Sequence, residues 1–260
     1  MGKPVIFVNA ECLRPEYGSV DSDYFTAMSK IASHRSNRFN GVFGGLRLFS
    51  GGDRNSTEVI ADQLGITDSW HVIAGGSYFF NSTTREIKPH PAINKKVKRE
   101  FRKILRWKVP RILRRYQVLE YCPGEDVCLA LEIKKTGSLL STEKMLPVIK
   151  ETYLRDLRKN KTVLVTYSRN AIFIVPWIVT FFSAVKFLAG FDDIDLSKSL
   201  AIGASKADVS LFRCVGRIGC PSNALPECRE AVKQRRGKTS LKPCASGVLD
   251  IIEWYMGLQN

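Results

Sequence analysis

Residues 199–232, SLAIGASKADVSLFRCVGRIGCPSNALPECREAV, give the clearest indication of the fold. This stretch contains a short apolar strand, a helical segment, a second strand and a second helix, at residues 199–203, 206–214, 217–220 and 225–234. A further apolar helix at residues 248–256 closes the chain. Strands that alternate with helices in this way predict parallel strands joined by helical crossovers.

The first part of the chain alternates in the same way. Residues 4–9, PVIFVN, form an apolar, β-branched run that is typical of a buried parallel strand. Helices and strands then follow in turn at residues 20–33, 44–49, 53–64 (with Asp53 as the predicted cap) and 71–74. This β-α-β-α-β order predicts an α/β fold with a Rossmann-like, doubly wound parallel sheet. Ligands of such sheets bind at the carboxyl ends of the strands.

The middle of the chain has a different pattern. It begins with a basic amphipathic helix at residues 94–109, and the remaining elements are a helix near residues 143–159 and strand-like runs at residues 127–133, 162–167 and 171–175. Helices combined with antiparallel strands predict an inserted α+β cap. We therefore expect a core of residues 1–90 and 191–260, interrupted by a cap of residues 91–190.

The order of these elements resembles the haloacid dehalogenase (HAD)-like phosphatase superfamily, specifically members with an α/β cap between their second and third motifs. The likeness is clearest in the stretch quoted above, which resembles the GDSxND motif and the strand and helix after it. Residues 46–66, LRLFSGGDRNSTEVIADQLGI, resemble the Thr/Ser-Gly motif and its helix. The resemblance covers nearly the whole chain and implies a HAD-like core.

The resemblance also implies a set of catalytic positions. In the family an Asp attacks phosphorus, a second Asp acts as general acid and base, and a Thr or Ser and a Lys hold the phosphoryl group. Matched onto this sequence, these positions fall on Asn9 for the nucleophile, Glu11 for the acid and base, and Ser50 for the hydroxyl. An uncharged amide is a very poor nucleophile, so these catalytic motifs are degenerate.

Two further positions depart from the family pattern. The metal-binding Asp falls on Ala204, which leaves Asp208 as the candidate metal ligand. The phosphate-binding Lys falls near Phe181, and Lys186 replaces it only if the helix register shifts. The remaining candidate ligand-binding residues are Gly51, Gly52 and Asn223. We therefore expect no cofactor, or Mg²⁺ if any activity remains.

Positive charge is concentrated in one segment. The chain carries a net charge of +15, and residues 95–115 hold eleven Lys or Arg and one acid, Glu100, which gives +10. The candidate polyanion-binding residues are Lys95, Lys96, Lys98, Arg99, Arg102, Lys103 and Arg106. A phosphorylated ligand, RNA or an acidic surface are the candidate partners. The alternative is an ordinary solvated face of the cap.

Cysteine usage and hydropathy favour an intracellular, cytoplasmic protein. The seven cysteines form no CxxC pair, and the N-terminus lacks the apolar length of a secretory signal. The longest apolar run, residues 171–185, is too short for a transmembrane helix. The oligomeric state stays open.

Three functions remain open. The favoured one is a catalytically impaired HAD-like pseudo-phosphatase that binds a phosphorylated or polyanionic partner. The second is a divergent Mg²⁺-dependent phosphohydrolase acting on a phosphorylated sugar or similar metabolite. The third is a basic structural subunit of a nucleic-acid-containing assembly.

Overall fold

The protein consists of an eight-stranded mixed sheet with helices on both faces and a second, four-stranded sheet. The computed structural model describes residues 2–15, 22–42, 44–52, 54–67, 69–134, 142–168 and 171–258, without the side chains of residues 35–42 and 142–143. Asp53, the predicted helix cap, lies outside the described residues.

The strands are β1 Ile6–Asn9, β2 Leu46–Phe49, β3 Trp70–Ile73, β4 Tyr78–Asn81, β5 Ile87–Pro89, β6 Leu119–Cys122, β7 Leu129–Ile133, β8 Val163–Tyr167, β9 Ala171–Pro176, β10 Leu200–Ile202, β11 Arg217–Cys220 and β12 Lys238–Thr239. The α-helices are α1 Ser22–Val42, α2 Arg54–Gln63, α3 Lys95–Trp107, α4 Val109–Arg115, α5 Thr142–Val148, α6 Arg155–Lys159, α7 Phe181–Phe191, α8 Val209–Phe212, α9 Pro226–Gln234 and α10 Cys244–Gly257. Short 3-10 helices lie at Ala10–Leu13 and Ala74–Gly76, and a π-helical turn lies at Ile149–Tyr153.

The large sheet confirms the predicted α/β class. Its strand order is β12-β11-β10-β1-β2-β3-β4-β5, with parallel pairing from β12 to β3 and an antiparallel hairpin at β4 and β5. Side chains of β1 alternate between two apolar layers, with Ile6 and Val8 on one side and Phe7 on the other. Helices α1, α2 and α10 cover the first layer, and α7, α8 and α9 cover the second.

Some elements differ from those predicted. Strands β6 and β12 were not expected, because their sequences are short or polar and carry little apolar periodicity. The helical stretch predicted at residues 206–214 contains only α8, which spans Val209–Phe212. Helix α1 extends well beyond the predicted end at residue 33 and reaches Val42.

The inserted segment forms an antiparallel sheet in the order β6-β7-β9-β8, flanked by helices α3 to α6. We call residues 95–176 the cap. Helix α7 falls inside the predicted cap segment 91–190, but its buried side chains Phe181, Ala184, Val185 and Leu188 pack in the core layer with Phe7. The chain therefore returns to the core at α7, immediately after the last cap strand.

The cap lies directly on the carboxyl ends of the core strands. The thiol of Cys128 in the cap donates a hydrogen bond of 3.0 Å to the carbonyl oxygen of Gly51, which follows β2. Phe173 of β9 lies so close to Gly51 that a Cβ atom there would stand 3.1 Å from its ring. This contact places the candidate active site between the two sheets.

No helix within the described ranges has the length and apolar character needed to cross a bilayer.

A methyl group at position 75 should destabilise this contact. Gly75 has a φ of +64°, and a Cβ atom there would lie 2.7 Å from Cγ1 of Val175 in β9. We expect Gly75→Ala to lower the free energy of unfolding by about 1 to 3 kcal/mol. Gly190→Ala in α7 is the matched control, since a Cβ atom at that position meets no atom within 4 Å. Equal urea midpoints for the two variants would contradict the packing argument.

Candidate active site

The end of β1 and the loop after β10 meet through a buried hydrogen bond. The amide nitrogen of Asn9 donates to Oδ2 of Asp208 at 2.7 Å. The backbone N–H groups of Ala204 and Ser205 donate to the same oxygen, at 2.7 and 2.8 Å. The sequence brings these residues together because β1 and β10 are neighbouring parallel strands. One carboxylate oxygen thus receives three donors.

The other carboxylate oxygen of Asp208, Oδ1, is buried and has no hydrogen-bond partner among the described residues. Burial raises the pKa of Asp208, while the hydrogen bonds from Ser205, Asn9 and Ala204 oppose that rise. An unpaired buried oxygen costs free energy unless a ligand or water meets it. Oδ1 is therefore an acceptor that the protein itself leaves unused.

Glu11 lies beside this pair, on the 3-10 helix that follows β1. Its backbone N–H donates to Oδ1 of Asn9 at 2.8 Å. Burial, and next the charge of Asp208, raise the pKa of Glu11 to about 7, although a hydrogen bond with Ser168 of the cap lowers it. Glu11 can therefore hold or release a proton near neutral pH, as a general acid or base must.

These side chains open into a cavity of about 250 Å³ between the core and the cap. Its apolar wall includes Leu164, Phe173, Val175 and Phe181. Thr166 also lines the cavity, is only 8% exposed, and its hydroxyl has no partner among the described residues. A hydroxyl both donates and accepts, so the cavity offers unused hydrogen-bonding capacity at its cap side as well as at Asp208.

Two lysines line the same cavity, Lys150 from the cap and Lys206 from the loop after β10. Burial, and next the positive charge of Lys206, lower the pKa of Lys150. The charge of Lys206 therefore disfavours the protonated form of Lys150. The cavity is thus lined by two acids of the core, Glu11 and Asp208, and by two amines, one from the cap and one from the core.

The structure places the predicted site residues in two groups. Asn9, Glu11, Gly51 and Asp208 line the cavity. The other four, Ser50, Gly52, Lys186 and Asn223, are absent from its lining.

Ser50, Gly52 and Asn223 form hydrogen bonds within loops of the core. Ser50 is buried and accepts a hydrogen bond from the N–H of Gly52 at 3.0 Å. Asn223 accepts one from the N–H of Cys244 at 3.1 Å, at the start of α10. Both residues thus organise loops.

The expectation that Lys186 reaches the ligand is corrected by its position on α7. It is exposed, and its ammonium group lies 4.7 Å from the ring centre of Phe182. Thr180 and Ser183 form a capping box that fixes the start of α7 and hence its register. The register shift that Lys186 would need therefore does not occur.

The cap contributes cavity residues that sequence reasoning missed, namely Lys150, Thr166, Phe173 and Val175. One signal was available, because Thr166 is a small polar residue that follows the apolar run of residues 163–165 in β8. Lys206 was also missed, although it lies inside the segment Gly203–Asp208 that matches a family motif.

The predicted polyanion-binding residues lie on α3, away from the cavity lining. Within this set, Lys95, Lys96, Arg99, Arg102, Lys103 and Arg106 are exposed. Lys98 is partly buried and pairs with Asp126 at 3.0 Å. Their role in binding stays a prediction.

Comparison with known proteins places this site in a class. Residues 128–252 match the family described as haloacid dehalogenase-like hydrolase. A sucrose-phosphatase from Synechocystis, solved with sucrose and phosphate, is 17% identical, has a TM-score of 0.65, and the match covers 98% of this chain and 99% of that one. A haloacid dehalogenase-like hydrolase from Bacteroides thetaiotaomicron is 12% identical with a TM-score of 0.65, covering 97% and 99%. No curated protein sequence matches this chain significantly.

The family match over residues 128–252 and the shared fold confirm the predicted resemblance to the haloacid dehalogenase-like superfamily. Hydrolases of this family typically use Mg²⁺.

The residues present do not fit a catalytic Mg²⁺ ion. Mg²⁺ prefers an octahedral set of oxygen ligands with at least one or two carboxylates. Here an N–H group of Asn9 points at Asp208, and Ala204 has no oxygen to offer in its side chain. Within the described ranges, no group of three His, Cys, Asp or Glu side chains could hold a metal ion.

Replacing the amide of Asn9 by a carboxylate should create a need for a cation. In Asn9→Asp, Asp208 loses a donor and gains a negative neighbour at hydrogen-bond distance. We expect the free energy of unfolding at pH 8 to fall by about 1 to 3 kcal/mol and to be partly restored by MgCl₂. Asn94→Asp, at the exposed start of α3 and outside the cavity lining, is the control and should show no such Mg²⁺ response. Thermal unfolding with and without Mg²⁺ tests this, and identical responses would refute it.

Glu11 should make stability depend on pH. Its folded-state pKa of about 7 exceeds the ordinary value of 4.5, so the folded state holds the proton more tightly. The stabilisation is present below pH 4.5 and is lost as the pH rises through about 7. We expect Glu11→Gln to remove about 2 kcal/mol of this decline between pH 5 and pH 8. Glu230→Gln, on the exposed side of α9, is the control and should leave the pH dependence of the free energy of unfolding as in wild type. The same pH dependence in Glu11→Gln as in wild type would contradict the assignment.

Proposed function

We propose that this chain is a catalytically impaired HAD-like protein that binds a phosphorylated ligand in the cavity between core and cap. The observation that carries the proposal is the hydrogen bond of 2.7 Å from Asn9 to Asp208. At the position where the family has an attacking carboxylate, this chain has an amide, and that amide is committed as a donor. The proposal therefore assigns no metal-dependent step to this site.

The two lysines support an anionic ligand. Lys150 is half-buried, and its ammonium group is destabilised by burial and by Lys206. A phosphate group bound between Lys150 and Lys206 would offset the repulsion between their positive charges and act as their counter-ion. Charge-assisted hydrogen bonds of this kind are roughly twice as strong as neutral ones.

The rest of the cavity supports a polar, hydroxyl-bearing body for the ligand. The hydroxyl of Thr166 and Oδ1 of Asp208 are buried and have no hydrogen-bond partner in the part of the chain that the structure describes, so they can donate to and accept from hydroxyl groups of a ligand. Phe173 and Val175 offer an apolar wall to carbon atoms of the ligand. A phosphorylated sugar has this combination, and a structurally similar sucrose-phosphatase holds sucrose and phosphate.

A second candidate is a divergent phosphohydrolase, and one observation favours it. The pKa of Glu11, about 7, suits a general base that takes a proton from water at neutral pH. Direct attack by that water on phosphorus would need no protein nucleophile. This candidate has less support, since the site lacks a fitting Mg²⁺ ligand set.

Ligand binding is tested by calorimetry with glucose 6-phosphate and with glucose as the uncharged counterpart. We expect binding of glucose 6-phosphate to weaken by about tenfold or more in Lys150→Ala, the loss of one charge-assisted contact. Lys186→Ala is the matched control, because Lys186 is exposed and is not among the cavity residues. Equal affinity for glucose and its phosphate would contradict an anion site at the lysines.

Catalysis is tested by phosphate release from a panel of phosphomonoesters with and without Mg²⁺. No release by wild type, and some release by Asn9→Asp/Ala204→Asp, would support an impaired phosphatase. Release by wild type that disappears in Glu11→Ala and Asp208→Ala would establish the phosphohydrolase instead.

A further inference from the structure

The positive charge of this protein is segregated rather than spread over the surface. Residues 95–115 carry +10 of the total +15, which leaves only +5 for the other 239 residues. They form α3 and α4, which follow one another directly at Lys108. A charge that served only solubility would have no reason to be collected in two consecutive helices.

Most of these charges form no ion pair with another described residue. Lys98 pairs with Asp126, and Lys103 and Arg99 share Glu100. No ion pair with a described residue is formed by Lys95, Lys96, Arg102, Arg106, Lys108, Arg111, Arg114 or Arg115. We call the exposed side of α3 and α4 the basic face. Its mutual repulsion is relieved only by an external anion.

The other side of the two helices is already used. Phe101, Ile104, Val109 and Ile112 are at most 2% exposed and belong to the apolar cluster of the cap strands. An amphipathic helix that binds a membrane lays its apolar side into the lipid. Here that side is buried in the protein, so only the charged side can meet a partner. This arrangement favours a polyanion over a lipid bilayer.

One aromatic side chain lies within the basic face. Trp107, at the end of α3, is 57% exposed, and the guanidinium carbon of Arg106 lies 5.0 Å from its ring centre. Exposed aromatic rings among cations are the common platform for unpaired bases, which stack on them irrespective of sequence. In a duplex the bases are already stacked on one another, so this ring suits a single strand.

We propose that the basic face of α3 and α4 binds single-stranded nucleic acid, with its cations on the phosphates and Trp107 stacked on a base. Phosphate contacts and stacking carry little sequence information, so we expect binding with little sequence preference. The site is separate from the cavity, whose lining contains no residue of α3 or α4.

The test measures the affinity of the whole protein for a fluorescent single-stranded 20-nucleotide oligouridine over a range of salt concentrations. One variant replaces Lys95, Lys96, Arg102 and Arg106 by Gln. The matched control replaces the exposed residues Arg229, Lys233, Arg236 and Lys242 on the core by Gln, and thus lowers the net charge by the same four units. Circular dichroism confirms that both variants are folded.

We expect the dependence of log K on log salt to become shallower by about 3 in the basic-face variant, since single strands lose about 0.7 per phosphate contact. The core variant should keep the wild-type slope. Trp107→Ala should weaken binding by about fivefold or more, the loss of one stacked base. Trp177→Ala, at another partly exposed tryptophan, should not.

Three results would overturn the proposal. One is an equal loss of slope in both quadruple variants, which would reduce the effect to net charge. Another is tighter binding of wild type to phosphatidylserine vesicles than to the oligonucleotide at the same salt. The last is an equal effect of Trp107→Ala and Trp177→Ala.

Discussion

The site depends on how hydrogen bonds satisfy a buried carboxylate, that of Asp208. Asp208 is fully buried, and a buried charge is tolerated only when hydrogen bonds or counter-charges surround it. Two backbone N–H groups and the amide of Asn9 supply those hydrogen bonds. The amide performs this role because it is an uncharged donor. An aspartate in its place would bring a second negative charge against the first, and the loop after β10 would then need a cation to hold it.

The protonation of Glu11 follows from the same arrangement. Burial, and next the negative charge of Asp208, raise the pKa of the half-buried Glu11, and only a hydrogen bond with Ser168 and the charge of Arg14 oppose that rise. The pKa of Glu11 therefore rises to about 7. Below that pH a proton on Glu11 removes one of the two neighbouring negative charges. The amines of Lys150 and Lys206 line the same cavity and can bind an anion there.

The strands of the core could be predicted because their sequences are buried on both faces. Residues 5–8 of β1 and its flank are apolar throughout, and the family positions Asn9 and Asp208 lie at or after the carboxyl ends of β1 and β10. The cap side of the site could not be predicted in this way. Thr166 and Lys150 reach the cavity only because of how the cap docks on Gly51 and Gly75, and that docking leaves no periodic signal in the sequence. The prediction for Lys186 failed for a different reason. Its exposure depends on the residue at which α7 begins, and the sequence pattern did not define that residue.

Complementarity to a ground state and catalysis are separate properties of a cavity. Catalysis requires contacts that are stronger in the transition state than with the bound substrate. In this cavity the unused groups are a threonine hydroxyl, one carboxylate oxygen and two amines, all of which suit a phosphorylated molecule at rest. The group that would strengthen its contact during attack on phosphorus is replaced by an amide already engaged with Asp208. Under the proposed function, a scaffold altered at Asn9, at Ala204 and at the lysine position would keep its selectivity for a phosphorylated ligand while lacking the groups that cleave it.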